Sequence, residues 1–142
     1  MIFFILFILI SIYLVAYVKE PERFTEVRDR YTKLRNYIKT QNTDPRFEVL
    51  ATECVLVGFD KKNGDLGYNT NKGYEIGLCL DGTANDIFHI LIHELAHTTV
   101  EEYSHSKQFW QNFNDLKEIC IRMGIYERLS EKKAFCGKHI KD

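Results

Sequence analysis

The first eighteen residues, MIFFILFILISIYLVAYV, form an apolar run that contains no charged residue, proline or glycine. As a helix this run is about 27 Å long, close to the hydrocarbon thickness of a bilayer. We therefore predict a transmembrane anchor over residues 1–18 and a second domain over residues 19–142. A buried core helix and a cleaved signal peptide are the alternatives. The signal peptide fits less well, because no Lys or Arg precedes the run and LVAYVKE is a poor cleavage site.

The basic residues nearest to this run all follow it, and only the terminal amine precedes it. They are Lys19, Arg23, Arg28, Arg30 and Lys33. Because positive flanks stay on the cytoplasmic side, we predict a single-pass membrane protein with a cytosolic soluble domain. The sequence does not distinguish a cellular membrane from a viral one, so a virion or its internal membrane is a second compatible location.

The next segment has apolar residues at every third or fourth position. This spacing predicts an amphipathic helix that starts with Pro21 at its first position and ends near Thr40, before the turn sequence QNTDP. Its apolar face consists of Phe24, Val27, Tyr31, Leu34 and Ile38. We expect this face to pack on the core and the charged face to contact solvent.

A β-rich region follows. The segment RFEVLATECVLVGFD is rich in Val, Leu and Phe and predicts a strand. Asn63-Gly64 is typical of a tight hairpin turn. LGYNTNKGYEIGLCL then predicts two short strands around Asn71-Lys72-Gly73, the second ending at Leu80. Together these segments predict a small antiparallel sheet.

Two further helices are predicted after the sheet. The first can be capped by Thr83, Asn85 or Asp86 and extends to about Thr98. The second follows the break at EEYSHS, and Gly124 suits its C′ position. Its apolar positions are Phe109, Phe113, Leu116, Cys120 and Met123. The remaining tail is predicted to be irregular, and the fold class is α+β.

Composition limits the possible functions. The net charge is −1, which gives no support for nucleic-acid binding over the whole surface, although a local basic patch between Arg23 and Arg35 stays compatible with the sequence. The four cysteines contain no C-x-x-C pair. Two disulfides are one interpretation, but a cytosolic domain favours free and mostly buried thiols. The cysteines are Cys54, Cys79, Cys120 and Cys136.

The segment LIHELAHTTVEEYSHSKQFW carries the candidate chemistry. His93 and His97 are four positions apart, so on a helix their side chains point within about 40° of each other and can bind one metal ion. Glu94 beside them completes the H-E-x-x-H pattern, in which zinc lowers the pKa of a water molecule and the glutamate acts as general base. A catalytic zinc needs a third protein ligand, and a turn after the helix can return His105 to the metal.

A surface helix that carries histidines by chance is the alternative interpretation. The neighbours Phe88, Ile92 and Leu95 argue against it, because they predict a largely buried helix whose imidazoles and carboxylate need partners. His89 is too far along the helix to share an ion with both His97 and His93, and His139 lies in the tail. Tyr103 is a candidate stabiliser of the oxyanion by proximity alone.

HELAH followed by HSKQFW resembles the WLM and SprT-like zinc metallopeptidases. The third histidine commonly follows the second by six residues in WLM proteins, whereas His105 follows His97 by eight. This longer connection, the strand GYNTNKGYEIGLCL and the tail GIYERLSEKKAFCGKHI are similar to WLM-like proteins of large DNA viruses. The resemblance covers residues 47–140. It implies a minimal zincin fold in which His93, His97 and His105 bind Zn²⁺ and Glu94 is the catalytic base.

The predicted function is therefore a membrane-anchored zinc metallopeptidase that acts on a protein or peptide substrate. A non-catalytic alternative is a zinc-stabilised structural protein tethered to a membrane, such as a minor capsid protein, in which case viral capsid proteins are its partners. Glu94 favours the enzyme, because a purely structural zinc site needs no carboxylate there. The predicted partners are the substrate and, through residues 1–18, a membrane; the sequence shows no clear nucleic-acid site.

Overall fold

The computed structural model describes residues 1–61 and 64–142. Helices and strands occur in the predicted α+β mixture, and the helices flank two small sheets. The helices are α1 Ile2–Tyr17, α2 Glu22–Thr40, a 3₁₀ helix Pro45–Ala51, α3 Ala84–Thr98 and α4 Lys107–Arg122. The strands are β1 Val55–Phe59, β2 Gly67–Thr70, β3 Glu75–Cys79, β4 Lys133–Phe135 and β5 Lys138–Ile140.

The predicted anchor segment is helical over most of its length, and α1 has no buried residue. Within residues 1–61 and 64–142, however, no helix taken singly has both the length and the hydropathy of a membrane span. The pair α1 and α2 reaches those values only together, with a bend of 68° between them. The transmembrane helix predicted over residues 1–18 is therefore not confirmed.

The amphipathic pattern of α2 is confirmed, since Phe24, Val27, Tyr31, Leu34 and Ile38 are its buried residues. Pro21 is the N-cap and not the first helical residue, a shift of one position. The basic side chains of α2 also bond to the domain. Arg23 donates to Leu80 O at 2.8 Å, Arg28 to Leu56 O at 2.9 Å and Arg30 to Ile125 O at 3.0 Å. These arginines tie the helix to the fold.

The main sheet has the strand order β1–β3–β2. The prediction of an all-antiparallel sheet is wrong, because β1 is parallel to β3 and only β2 is antiparallel to it. The buried run of β3 explains this arrangement: a strand buried on both faces is typical of the centre of a sheet, so β1 and β2 occupy its two edges. Asn63 of the predicted hairpin turn lies outside the described residues.

The strand predicted for RFEVLATECVLVGFD is only partly correct. Its first half is the 3₁₀ helix, which Pro45 opens at the first position and Asp44 caps by accepting a hydrogen bond from Arg46 N at 3.0 Å. Proline pre-sets the φ angle of a helix start and its missing N–H costs nothing there. The strand therefore begins only at Val55.

The central helix α3 begins as predicted. Thr83 is the N-cap, and its side chain and that of Asp86 form a reciprocal capping box. The helix is almost completely buried between α2, α4 and the main sheet. Gly124 ends α4 with a φ of +70°, the left-handed conformation that favours glycine after a helix.

The tail differs from two predictions. It contains a hairpin, in which β4 pairs antiparallel with β5, and is not irregular. Cys136 in the hairpin turn forms a disulfide with Cys79 at the end of β3, so the prediction of four free cysteines is wrong for this pair. Cys54 and Cys120 are free and buried. The disulfide fixes the hairpin to the sheet across 57 residues of sequence.

Candidate metal centre

Three imidazoles meet at one point on the surface of α3. His93 and His97 lie one turn apart on the helix, and His105 comes from the loop before α4. The Nε2 atom of His105 lies 3.0 Å from Nε2 of His93 and 3.1 Å from Nε2 of His97. Among the described residues, these three histidines form the group of side chains that could hold a metal ion.

The protonation of these side chains suits a cation. Burial, together with the charges of the neighbouring groups, lowers the pKa of His93 to about 3 and that of His97 to about 4. Both rings are therefore neutral at pH 7, with lone pairs that a metal can accept. Nε2 of His105 lies near Nε2 of both other histidines, but a single ring nitrogen carries at most one proton. Hydrogen bonds among the three neutral rings therefore cannot satisfy all three nitrogens.

The donor set fits a tetrahedral zinc ion. Nitrogen ligands at 2.0–2.1 Å from such an ion lie about 3.3 Å from each other, close to the observed spacing of 3.0 and 3.1 Å. Three imidazoles leave the fourth position to a water or substrate, which is the ligand count of a catalytic site. The geometry therefore supports a metal centre at this point.

Glu94 is the acidic neighbour of the three imidazoles. Its side chain is 7% exposed, and burial raises its pKa to about 7. Gly67 in β2 brings the strand backbone against this carboxylate, since a Cβ atom on Gly67 would lie 3.2 Å from Glu94 Oε1. The carboxylate thus lies between the helix and the edge strand, in the wall of the same cleft as the imidazoles.

Asn69 in β2 and Lys72 in the β2–β3 turn form hydrogen bonds to α3 and to the loop that carries His105. Asn69 donates to Glu94 O at 2.7 Å and to Thr98 Oγ1 at 2.9 Å. Lys72 donates to His97 O at 3.2 Å and to Glu102 O at 2.6 Å. Lys72 thus links the end of α3, which carries two of the histidines, to the loop that carries the third.

The aromatic residues after His105 pack against the imidazoles. The ring of Phe109 lies 5.0 Å from His93, 4.4 Å from His97 and 4.7 Å from His105, measured between centroids. Phe109 is fully buried, whereas Trp110 is 45% exposed and covers the outer side of His105. Phe109 therefore supports all three rings from below, which explains why an aromatic residue follows the third histidine.

A cleft of about 700 Å³ passes the imidazoles. Its floor is α3, and its two walls are the start of β2 and the tail segment 138–142. Trp110 and Phe113 of α4 contribute apolar surface to it. The disulfide between Cys79 and Cys136 fixes the hairpin that carries one of these walls.

Other predicted positions lie apart from the three imidazoles. His89 is buried one turn before His93, and its Nδ1 contacts Tyr126. His139 is exposed on β5 but lines the cleft. Asp86, one of the predicted cap residues, belongs to the cap of α3 and pairs with Lys133. Tyr103 is 77% exposed and lines a second cavity of about 150 Å³ together with Glu94 and His97.

The sequence prediction missed a buried polar cluster at the other end of the cleft. Lys117 is only 4% exposed and donates to Asp142 Oδ1 at 2.7 Å, and Tyr126 donates to the same carboxylate. A signal was present for Lys117, because it lies one turn after Phe113 on the apolar face of α4. A lysine on such a face is rarely buried without an acidic partner.

Comparison with known proteins identifies the domain. An H-E-x-x-H helix with a third histidine defines a metallopeptidase-like class of protein, and the family model of the WLM domain matches residues 25–141. The chain belongs to the WLM family. This membership, like the cluster of imidazoles, indicates a metal ion and a metallopeptidase-like function. The resemblance predicted from HELAH and HSKQFW is thereby confirmed.

Two viral proteins are similar to the chain. Uncharacterized protein 136R of Invertebrate iridescent virus 6 is 27% identical over 90 residues, which are 63% of this chain and 43% of that protein. Uncharacterized protein R325 of Acanthamoeba polyphaga mimivirus is 32% identical over 80 residues, which are 49% of this chain and 41% of that protein. The chain thus spans less than half the length of these relatives. No solved structure gives a significant match.

Proposed function

We propose that the chain is a zinc-dependent metallopeptidase that hydrolyses peptide bonds and is anchored to a membrane by α1. The observation that carries this proposal is that Nε2 of His105 lies 3.0 Å from Nε2 of His93 and 3.1 Å from Nε2 of His97, in the same cleft as the buried carboxylate of Glu94. His93, His97 and His105 would hold Zn²⁺. When bound there, zinc supplies a Lewis acid that polarises a carbonyl and makes a water molecule more acidic.

The chain's own residues perform the proton transfers in this proposal. Glu94 accepts a proton from water at its carboxylate and delivers it to the amine that leaves. The wall of β2 at Gly67 keeps this carboxylate beside the imidazoles. Phe109 excludes water from beneath the three rings and fixes their orientation. The cleft holds the peptide on the side of α3 that carries both groups.

The anchoring proposal rests on α1. Each of its residues except Ser11 is exposed, and the helix carries no charge, so the fold leaves an apolar surface all around it. A lipid phase is the surroundings that such a helix matches. The basic residues that follow α1 support a cytosolic position for the cleft, at a cellular or a viral membrane, whereas the Cys79–Cys136 disulfide is more typical of an oxidising compartment.

The test of the catalytic proposal uses the full chain purified in detergent. We expect about one zinc ion per chain and cleavage of peptides from a broad library, detected by mass spectrometry. Glu94→Gln should retain zinc and lose most of the cleavage, because the substitution removes the base and keeps the shape. Glu101→Gln, at an exposed glutamate in the loop after α3, is the matched control and should cleave like the wild type.

The zinc ligands are tested by a second pair of variants. His105→Ala should lower the zinc affinity strongly, whereas His139→Ala should leave it unchanged. Stoichiometric zinc without any Glu94-dependent cleavage would favour the structural alternative, and a chain without zinc at neutral pH would contradict both metal proposals.

The membrane anchor is tested by flotation of the full chain with liposomes. The double variant Phe7→Lys with Ile10→Lys in α1 should no longer float with the liposomes, while Asn36→Lys with Thr40→Lys on α2 should still do so.

A further inference from the structure

The far end of the cleft contains a histidine that the proposed peptide hydrolysis does not use. His89 is 5% exposed, lies one helical turn before His93 and lines the same cavity. Its Nδ1 lies 2.8 Å from Tyr126 Oη. Among the described residues no hydrogen bond to its Nε2 is found, and this atom is not one of the fully buried atoms without a partner, so it is open to the cavity. Because Tyr126 occupies Nδ1, Nε2 is the polar atom of this ring that is left to face the cleft.

The network behind His89 fixes the position of its proton. Tyr126 Oη lies 3.0 and 2.9 Å from the two carboxylate oxygens of Asp142, which also accepts from Lys117 Nζ at 2.7 Å and from Leu129 N at 2.6 Å. A phenol has one proton. If it were donated to His89, the oxygen lone pairs of Tyr126 and Asp142 would face each other at hydrogen-bond distance. The proton therefore goes to Asp142, and Tyr126 accepts from His89 Nδ1–H.

The ionisation of the three groups agrees with this assignment. Burial lowers the pKa of His89 to about 4, so the ring is neutral. Burial and the bond to Asp142 raise the pKa of Tyr126 far above its usual range. Burial alone would raise the pKa of Asp142, but its bonds to Lys117, Leu129 and Tyr126 outweigh this effect and lower it. A neutral imidazole with a proton on Nδ1 has an unprotonated Nε2, which is an acceptor.

The surroundings of Nε2 define what it can accept from. The cleft at this end has an apolar part, with Ile90, Phe113 and Leu66 among its lining residues, next to the polar pair Lys117 and Asp142. His89 packs edge-on against Phe113 with ring centroids 5.6 Å apart. Lys117 lines the same cavity and offers N–H donors. A hydroxyl can donate to His89 and accept from Lys117. A side-chain amide can do both as well but has no aromatic body to pack against Phe113, and an indole N–H donates without offering the lysine an acceptor.

Resting on the peptidase function proposed above, we infer that His89 is a specificity-determining residue that selects a substrate side chain with an aromatic body and a terminal hydroxyl, namely tyrosine. One helical turn, about 6 Å along α3, separates it from His93. An aromatic side chain next to the scissile bond spans this distance. A phenylalanine in the same place would cover the acceptor of His89 without giving it a partner, which costs binding.

The test compares two fluorogenic peptides that are identical except for Tyr or Phe beside the cleaved bond. The zinc-loaded full chain should cleave the Tyr peptide with a kcat/KM about tenfold higher. His89→Leu should bring this ratio close to one with the zinc content unchanged. His89→Gln, whose amide oxygen is again an acceptor, should restore part of the ratio. A ratio near one in the wild type, or one that His89→Leu leaves unchanged, would overturn the inference.

Two readouts keep the inference testable apart from cleavage. In the zinc-loaded Glu94→Gln chain, N-acetyl-tyrosinamide should bind more tightly than N-acetyl-phenylalaninamide, and the difference should vanish in the double variant with His89→Leu. Nitrogen NMR of His89 should show the Nδ1–H tautomer in the wild type and a mixture in Tyr126→Phe. If the wild type cleaves no peptide but the binding preference holds, the peptidase proposal fails and the recognition site stands. Equal binding or an Nε2–H tautomer contradicts the site itself.

Discussion

At the scale of single residues, Gly67 determines how closely β2 approaches the carboxylate of Glu94. A Cβ atom there would lie 2.7 Å from Ile90 Cγ2 and 2.9 Å from Gly77 O, closer than atoms in a packed core tolerate. Glycine is thus required for packing and not for its φ angle. The backbone of β2 can pack against α3 and the Glu94 side chain only because residue 67 has no side chain that would lie between them.

We expect Gly67→Ala to lower the free energy of unfolding by about 1–3 kcal/mol through overpacking and to reduce cleavage per zinc-loaded molecule, because β2 must move away from Glu94. Gly124→Ala is the control. It costs about 1–2 kcal/mol for its positive φ but lies at the end of α4, away from the cleft. Urea unfolding and peptide cleavage measure both. Equal specific activity of the two variants would contradict this role of Gly67.

His89 also predicts a pH dependence of stability. Its folded pKa of about 4 lies below the unfolded value of about 6.5, because burial and Lys117 outweigh the attraction of Asp142 and Asp86. The unfolded state therefore binds the proton first, and this residue destabilises the fold as the pH falls from about 6.5 towards 4. His89→Gln should lose less stability between pH 7 and pH 5 than the wild type in urea unfolding. His139→Gln, on exposed β5, should keep the wild-type response.

At the scale of elements, the β2–β3 turn connects the end of α3 to the loop that carries His105. Lys72 adopts a positive φ of 52° and reaches both the last turn of α3 and the loop before α4. The two elements that supply the histidines thus share one anchoring side chain. The two hydrogen bonds from Lys72 hold the loop between α3 and α4 in position.

We expect Lys72→Met to lower the zinc affinity about tenfold, because His105 loses its fixed position relative to His97, while the unfolding of the metal-free chain changes little. Competition with a zinc chelator measures the affinity. Lys39→Met, on the exposed side of α2, removes the same charge and should bind zinc like the wild type. If the two variants bind zinc equally, the loop is held by other contacts.

At the scale of the whole molecule, the disulfide joins the last hairpin to the sheet. Because it closes a loop across 57 residues, we expect it to stabilise the fold by about 2–4 kcal/mol. A reductant should lower the midpoint of urea unfolding in the wild type. Cys79→Ser with Cys136→Ser should unfold at the reduced midpoint and not respond further, whereas Cys54→Ala should still respond. A wild type that does not respond to reductant would contradict the bridge.

The parts that the sequence predicted correctly are those that depend on local spacing. The separation of His93 and His97 and the apolar face of α2 follow from the helical period alone. The parallel pairing of β1 with β3 and the bond between Cys79 and Cys136 depend on which distant segments meet, and no local pattern records that. The 3₁₀ helix was missed because Val and Leu content outweighed the local signal of Pro45.

The placement of the third imidazole has a consequence for the lifetime of the chain. His105 lies on the loop after α3, so a metal ion bound to all three histidines would close a short ring of chain between residues 97 and 105. Without the ion, this segment is held by the bonds from Lys72, by the bond from Asn112 to Thr99 Oγ1 and by the burial of Val100, so we expect it to be cut by proteases more readily than in the zinc-bound chain. The zinc supply would then affect the lifetime of the chain as well as its activity, because zinc-free molecules would be degraded faster.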